Sequence, residues 1–488
     1  MRNTLAIGIF LVALGLVLAL SWNHKPVDPL ALNPPETQVS SNLINPDGNV
    51  LWISVEGMRP DHMATYGYEN VTTPRIDSLA SESLVFERCY AQSTETYRSI
   101  VTMLTSQYPN VYPGDLGANS GRGFRDLLGN PRTSLVARIR ESGHTTAAIV
   151  GNPMLDSDFG FGEGFDYYDD KPATEDDGSI RERSTGETYK VAETWLSRNF
   201  RRPFFMFVDI PDPQGPHDPD TNSLRQLHIL PSYLDQRTLA VSGNDLRPIN
   251  ALPSYFGKAG DSHAIGDLMR LYDGEIAEAD YYTGELMDLV SRLGIDDKTM
   301  IIVSGSHGEA LGEHGYYFSN GGSTFHCLSS IPLIIHNPRG HAGRIKDVVE
   351  GIDIMPTAMS YLDIERPKDM DGISLLPFYK APSRKREYPA FCYWDSPVMV
   401  SAIKGDYELI NFENKEYKLF HVINDPAEIH DIYSESDPVA QDLTRLMELW
   451  TRQNHGKALE NETTRKSSPD THKPPMIIPP GDVIKSPK

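Results

Sequence analysis

Asn49-Val-Leu-Trp-Ile-Ser-Val-Glu-Gly-Met-Arg-Pro-Asp-His62 is the stretch that decides the architecture. Residues 50–55 form a nearly continuous apolar run of strand length, without the alternation of a half-exposed strand. A strand of that kind is covered on both faces, as in the middle of a parallel sheet. The run ends on a carboxylate, Glu56, followed by Gly57. In open α/β sheets the carboxyl ends of the strands are where ligands bind.

Working outward, further strands are expected at 145–150, 204–210, 300–304 and 331–336, with helices at 133–142 and 265–293 between them. Alternation of strand and helix predicts an α/β fold, a mostly parallel sheet flanked by helices. Ser306-His307, like Glu56, then falls at a strand's carboxyl end. After the Pro-, Lys- and Arg-rich stretch 380–389, residues 400–403, 407–412 and 417–422 read as short antiparallel strands and 439–451 as a closing helix. The expected division is a large domain over 49–380 and a small antiparallel-sheet-plus-helix subdomain over 381–455. Residues 456–488, rich in Pro, Ser and Lys, read as a disordered tail.

At the other end, Met-Arg-Asn precedes an apolar run over 5–20, the pattern of an export signal. A cleaved signal peptide and a retained membrane anchor over 1–22 both fit, and either implies an extracytoplasmic protein, periplasmic, secreted or membrane-anchored. Residues 23–48 read as a flexible linker. The net charge of −22, with no basic block to offset it, excludes nucleic acid as a partner. Cys89, Cys327 and Cys392 are too few for a disulfide framework and read as buried small hydrophobes.

The opening segment, with Tyr66-Gly-Tyr and Thr73-Pro-Arg-Ile-Asp-Ser-Leu-Ala80, resembles the start of bacterial sulfatases of the alkaline-phosphatase superfamily. Ser304-Gly-Ser-His-Gly-Glu-Ala-Leu-Gly-Glu-His-Gly315 is similar to that family's metal loop, and Asp353-Ile-Met-Pro-Thr357 with Gly372-Ile-Ser-Leu-Leu-Pro377 to the end of its large domain. Asp425-Pro-Ala-Glu428 is similar to its C-terminal hairpin motif. The pieces run in the family's order over residues 49–450.

The resemblance implies hydrolysis of sulfate esters with a calcium ion and a formylglycine made from Cys or Ser. Thr96 stands at the nucleophile position and cannot become formylglycine, although a threonine can attack directly. Arg98 and Ser99 follow as candidate substrate ligands, and Glu56, Ser306 and His307 as candidate metal ligands. Gly57 stands where many members have a second Asp, and Ser306 where they have an anionic ligand, which leaves Glu56 as the one carboxylate of the metal site and weakens calcium binding. Asp209 and Gln214 replace the family's histidines, so His217 is the remaining candidate acid; His314 and His326 are further histidines without an assigned role. Two functions follow from these substitutions. One is a hydrolase of sulfate or phosphate esters on small molecules or glycans; the other is an inactive member that binds sulfated or phosphorylated glycans.

Overall fold

The computed structural model describes residues 39–109, 134–174, 180–214, 217, 219–227, 262–367, 370–386, 388–395, 397–413 and 415–466. The stretch read as signal or anchor, residues 23–38 of the linker and residues 467–488 of the tail lie outside them.

Eight strands form the main sheet: β1 (Asn49–Val55), β2 (Leu84–Tyr90), β3 (Thr145–Val150), β4 (Tyr167–Asp169), β5 (Phe204–Ile210), β6 (Thr299–Gly305), β7 (Ser330–His336) and β8 (Gly343–Glu350). Their order is β8-β2-β7-β6-β1-β5-β3-β4. β1 lies parallel to both β5 and β6, and β7 is the one reversed strand, antiparallel to β6 and β2. The expected mostly parallel α/β sheet is therefore present.

Burial on both faces explains why β1 reads as unbroken apolar sequence. Val50 and Trp52 enter the core on one side of the sheet, while Leu51, Ile53 and Val55 enter the core on the other. The polar groups that β1 does bury are paired: Asn49 Nδ2 donates to Thr299 Oγ1 at 3.0 Å, and Trp52 Nε1 to Ser304 Oγ at 2.9 Å.

On the first face lie α2 (Thr96–Thr105), α3 (Leu135–Glu141) and α6 (Ile354–Tyr361). The second face carries α1 (Pro74–Ala80), α4 (Thr185–Asn199) and the 31-residue α5 (Ser262–Arg292). Ser184 and Glu187 form a reciprocal capping box at the start of α4. On α5, Asp273 accepts from Tyr68 Oη at 2.7 Å and faces His62 Nδ1 at 2.7 Å, while Asp280 accepts from the Ile76 N–H of α1 at 2.7 Å.

The C-terminal sheet consists of β9 (Ala390–Asp395), β10 (Val398–Lys404), β11 (Tyr407–Phe412) and β12 (Glu416–Phe420), all antiparallel in sequence order, closed by α7 (Pro438–Lys466). Val400, Ala402, Leu409 and Leu419 pack against Leu443, Met447 and Trp450 of α7. The joint with the main domain is apolar, with Ala390 and Ile403 packed on Tyr90 and Val348, and also ionic. Arg386 pairs with Glu350 and, at 2.6 Å, with Asp353, and both carboxylates are fully buried.

Two boundaries differ from the expected ones. Residues 41–45, assigned to the linker, already pack on the body: Leu43 is buried and its carbonyl accepts from Asn337 Nδ2 at 3.0 Å. Helix α7 runs to Lys466, into the stretch assigned to the tail. Cys89, Cys327 and Cys392 are buried free thiols.

Candidate functional site

Parallel β1, β3, β5 and β6 deliver their carboxyl ends to one edge of the sheet, and the N-terminus of α2 meets them there. Glu56 follows β1, Asn152 follows β3, Asp209 lies near the end of β5 with Gln214 beyond it, and Ser306-His307 follows β6. Thr96 is the first residue of α2, a helix of 10 residues whose amino end favours negative charge.

Thr96 Oγ1 is the hub. It lies 2.8 Å from Glu56 Oε2, 2.9 Å from Gln214 Oε1 and 2.9 Å from His307 Nε2. Three of the sequence-derived residues, Glu56, Thr96 and His307, thus meet in one place, although Thr96 and His307 alone are 211 positions apart. Asn152 Nδ2 donates to Glu56 Oε2 at 2.8 Å, and its Oδ1 accepts from the Met154 N–H at 2.9 Å, which fixes which way round the amide sits. The His307 tautomer is set in the same manner, since Nδ1 faces the Gly308 carbonyl at 2.8 Å and must carry the proton. Burial holds His307 down at about 4, so at neutral pH Nε2 presents a lone pair to Thr96.

Counting protons shows what the cluster lacks. A hydroxyl has one, and Oγ1 faces three acceptors. Glu56 Oε1, both Asp209 carboxylate oxygens and Ser306 Oγ are buried without a well-formed hydrogen bond among the described residues, although the Glu56 carboxyl and the Gly151 and Asn152 backbones lie near enough to Asp209 to interact with it. Burial, then the Asp209 and Glu182 carboxylates, push Glu56 well above the usual carboxylate range, with Asn152 opposing. Burial raises Asp209 as well. This surplus of lone pairs is met either by protons or by a cation. Among the described residues no three His, Cys, Asp or Glu side chains stand together as a ready cage. In kind, however, two buried carboxylates with unpartnered oxygens suit a hard divalent ion. Asp209 therefore corrects the expectation of a single carboxylate: it stands beside Glu56 because β1 and β5 are neighbours, with Ser54 opposite it in register.

The remaining candidates make no side-chain hydrogen bond to Thr96 among the described residues. Arg98, expected to bind substrate, is committed to Asp395 at 2.8 Å and Glu95 at 3.1 Å, with the Tyr97 hydroxyl at 3.1 Å. It ties the start of α2 to the C-terminal sheet. Ser99 Oγ donates to the Ser306 carbonyl, locking helix to loop. Ser306 itself turns no side-chain bond into the cluster. His217 is buried, and its Nδ1 lies 2.5 Å from Glu275 Oε2 on α5. His314 stacks on Phe325 and lies 3.6 Å from Glu428, and His326 packs 5.6 Å from Tyr90 with Nδ1 3.7 Å from Glu408, so both face the C-terminal subdomain rather than Thr96.

Sequence reasoning passed over Asn152, Glu275 and Glu309. Asn152 carried a signal, since it stands two residues beyond an expected strand whose end points at the site. Glu275 is one of several acids on α5, and nothing in its spacing sets it apart.

A family model described as Sulfatase matches residues 48–364. The chain belongs to the sulfatase family. A second model, described as N-sulphoglucosamine sulphohydrolase, C-terminal, matches residues 312–454 of this sulfatase. Among curated relatives, an N-acetylglucosamine-6-O-sulfatase of Bacteroides thetaiotaomicron is 22% identical over 82% of this chain and 85% of its own length. The multifunctional alkaline phosphatase superfamily protein PehA of Trinickia caryophylli is 25% identical over 80% and 90%. A solved complex with D-glucosamine-2-N,6-O-disulfate superposes with a TM-score of 0.65 at 19% identity, covering 87% of this chain and all of that one. The phosphonate monoester hydrolase of Agrobacterium radiobacter superposes with a TM-score of 0.62 at 19% identity, covering 83% and 96%. These likenesses carry the fold, including the small C-terminal sheet.

Proposed function

We propose that this sulfatase-family chain is an exported hydrolase of sulfate esters, with phosphate esters as the neighbouring class, in which Thr96 attacks directly. The observation that carries the reading is the contact between Thr96 Oγ1 and His307 Nε2 at 2.9 Å, with the ring's other nitrogen held by a backbone carbonyl. A hydroxyl beside an imidazole of preset tautomer is an activated nucleophile. In the attack, Oγ1 forms a bond to sulfur and its proton passes to Nε2. The ester oxygen leaves with the bonding pair and takes a proton, and water then releases sulfate from Thr96. The amino end of α2 faces the anion throughout. A divalent cation held by Glu56 and Asp209 would neutralise the ester's charge.

Two of the likenesses support a sulfated glycan as the substrate class, the relative named N-acetylglucosamine-6-O-sulfatase and the structure solved with D-glucosamine-2-N,6-O-disulfate. Export rests on the apolar run over 5–20. The burial of Thr96, 3% exposed, carries the second reading, a member that binds sulfated or phosphorylated glycans without turning them over. The test is turnover of 4-nitrophenyl sulfate, 4-nitrophenyl phosphate and a phosphonate monoester by the full chain, with calcium, magnesium, manganese or chelator. The hydrolase reading expects turnover that Thr96→Ala lowers by roughly a thousandfold or more. Absence of turnover on all three, with glycan binding retained, leaves the second reading.

A further inference from the structure

His217 and Glu275 form a buried pair that leaves one ring nitrogen over. Glu275 Oε2 stands 2.5 Å from Nδ1, and the two side chains are 3% and 2% exposed. Buried polar side-chain atoms ordinarily have a partner. Here Nε2 is buried with no partner among the described residues, and so is Glu309 Oε2. The two attract each other electrostatically without meeting.

The gap between them borders the Thr96 cluster. Glu309 Oε2 lies 3.4 Å from where a Cβ on Gly57 would stand, with the Gln214 backbone nitrogen at 3.3 Å. Gly57 follows Glu56 directly, and its backbone is left-handed at φ 68°. Tyr272 links the parts: its ring packs edge-on to His217 at 5.6 Å and its hydroxyl donates to the Gly57 carbonyl at 2.6 Å. Phe318 likewise packs edge-on to the imidazole, at 5.5 Å.

We propose that Glu275 is a positioning residue that makes His217 the acid for the leaving group, holding Nδ1 so that Nε2 faces the gap lined by Glu309. This rests on the ester-transfer reading above. When the sulfur–oxygen bond breaks, its electron pair stays on the departing oxygen, and the Nε2 proton moves to that oxygen. The Nδ1 proton stays with Glu275, and the neutral ring regains a proton from the water that releases Thr96. The charged groups facing His217 are Glu275 from α5, Glu309 from the loop after β6 and Asp212 from the loop after β5. Burial pulls His217 below its ordinary value, and Glu309 and Asp212 oppose it. Turnover should therefore decline as pH rises through the value of the folded ring, on the acid side of neutral.

The experiment compares phenyl and 4-nitrophenyl esters, because an acid matters most for the poorer leaving group. Glu275→Gln should lower kcat on the phenyl ester by on the order of 100-fold, and at least tenfold more than on the 4-nitrophenyl ester. KM should stay level, the falling limb of the pH profile should move to lower pH, and Glu275→Asp should recover part of the loss. Equal losses on both esters, with Thr96→Ala still abolishing both, would reduce the pair to a structural role and leave the ester-transfer reading intact. An unmodified chain inactive on both esters at every pH overturns the two together.

Discussion

Replacing Arg386 with methionine should reveal how the two domains are joined. Its side chain is 5% exposed and serves Glu350 and Asp353, both fully buried. Without it, two carboxylates remain in the interior. Glu350 keeps its bonds from the Phe391 N–H at 2.9 Å and the Tyr108 hydroxyl at 3.0 Å, and Asp353 keeps the Ile373 N–H at 2.8 Å. Removing one partner of a buried ion pair costs about 3–5 kcal/mol, and those surviving donors favour the lower half of that range. Burial already raises Glu350, with Arg386 opposing and Asp353 adding to the rise, so losing the guanidinium raises it further. A carboxyl whose folded pKa is raised loses stability as pH climbs, so the penalty should be larger at pH 8 than at pH 5.5 by about 1–2 kcal/mol. Urea denaturation followed by tryptophan fluorescence suits the test, because Trp450 stacks on Phe391 at 4.8 Å beside the joint. Glu350→Gln in the Arg386→Met background should recover part of the loss. A penalty below about 1 kcal/mol, or one insensitive to pH, would show that the charges are not confined as described.

Other outcomes test the site and its surroundings. Thr96→Val keeps the side-chain volume and removes the hydroxyl, so stability should change by about 1 kcal/mol or less while turnover collapses, and Thr96→Ser should restore it; retention of a tenth of the activity in the valine variant would remove Thr96 from the chemistry. Asn152→Asp places a third carboxylate beside Glu56 and Asp209, so it should lower the denaturation midpoint in chelator and make calcium stabilising; a variant indifferent to calcium would count against a cation at that spot. Arg98→Ala and Asp395→Asn should show a coupling of about 1–2 kcal/mol in a double-mutant cycle, whereas a pure loss of anion binding would mark Arg98 as a substrate ligand after all. Burial raises Asp280 to about 7 and Glu182 and Glu309 to about 8. The unfolded groups titrate near about 4, so the folded chain holds extra protons in between and loses stability as pH rises through that window. In chelator the thermal midpoint should be higher at pH 5 than at pH 8, and the reverse order would contradict this.

Central strands were legible because burial on both faces leaves unbroken apolar runs: 145–150 and 204–210 match the observed β3 and β5 end to end. The strands passed over lie toward the sheet's rim. β2 carries Glu87 and Arg88, and β8 carries Arg344, Lys346 and Asp347, charges that break the pattern wherever solvent reaches one face. Strand-end logic also placed Glu56 and His307 beside Thr96. It did not find Asp209 as Glu56's companion, because that pairing depends on β5 lying next to β1, a fact of sheet order rather than spacing. The ion pair of Arg98 was hidden for a related reason: Asp395 is supplied by a strand 297 positions further on.

Helix α5 has a consequence for how this chain can change. Asp273, Glu275, Glu278 and Asp280 reach, in turn, His62 and Tyr68, His217, the Asp220 N–H, and the start of α1. Each residue along a helix advances by about 1.5 Å and turns by about 100°. Deleting a single residue between Glu275 and Glu278 would swing the earlier carboxylates away from the later ones, so that the 62–68 segment, the 217–220 segment and α1 could no longer be docked at once. Drift in amino-acid identity is tolerable along the solvent side of this rod, but its phase is fixed, and lineages descending from this chain should vary there by substitution and not by insertion or deletion.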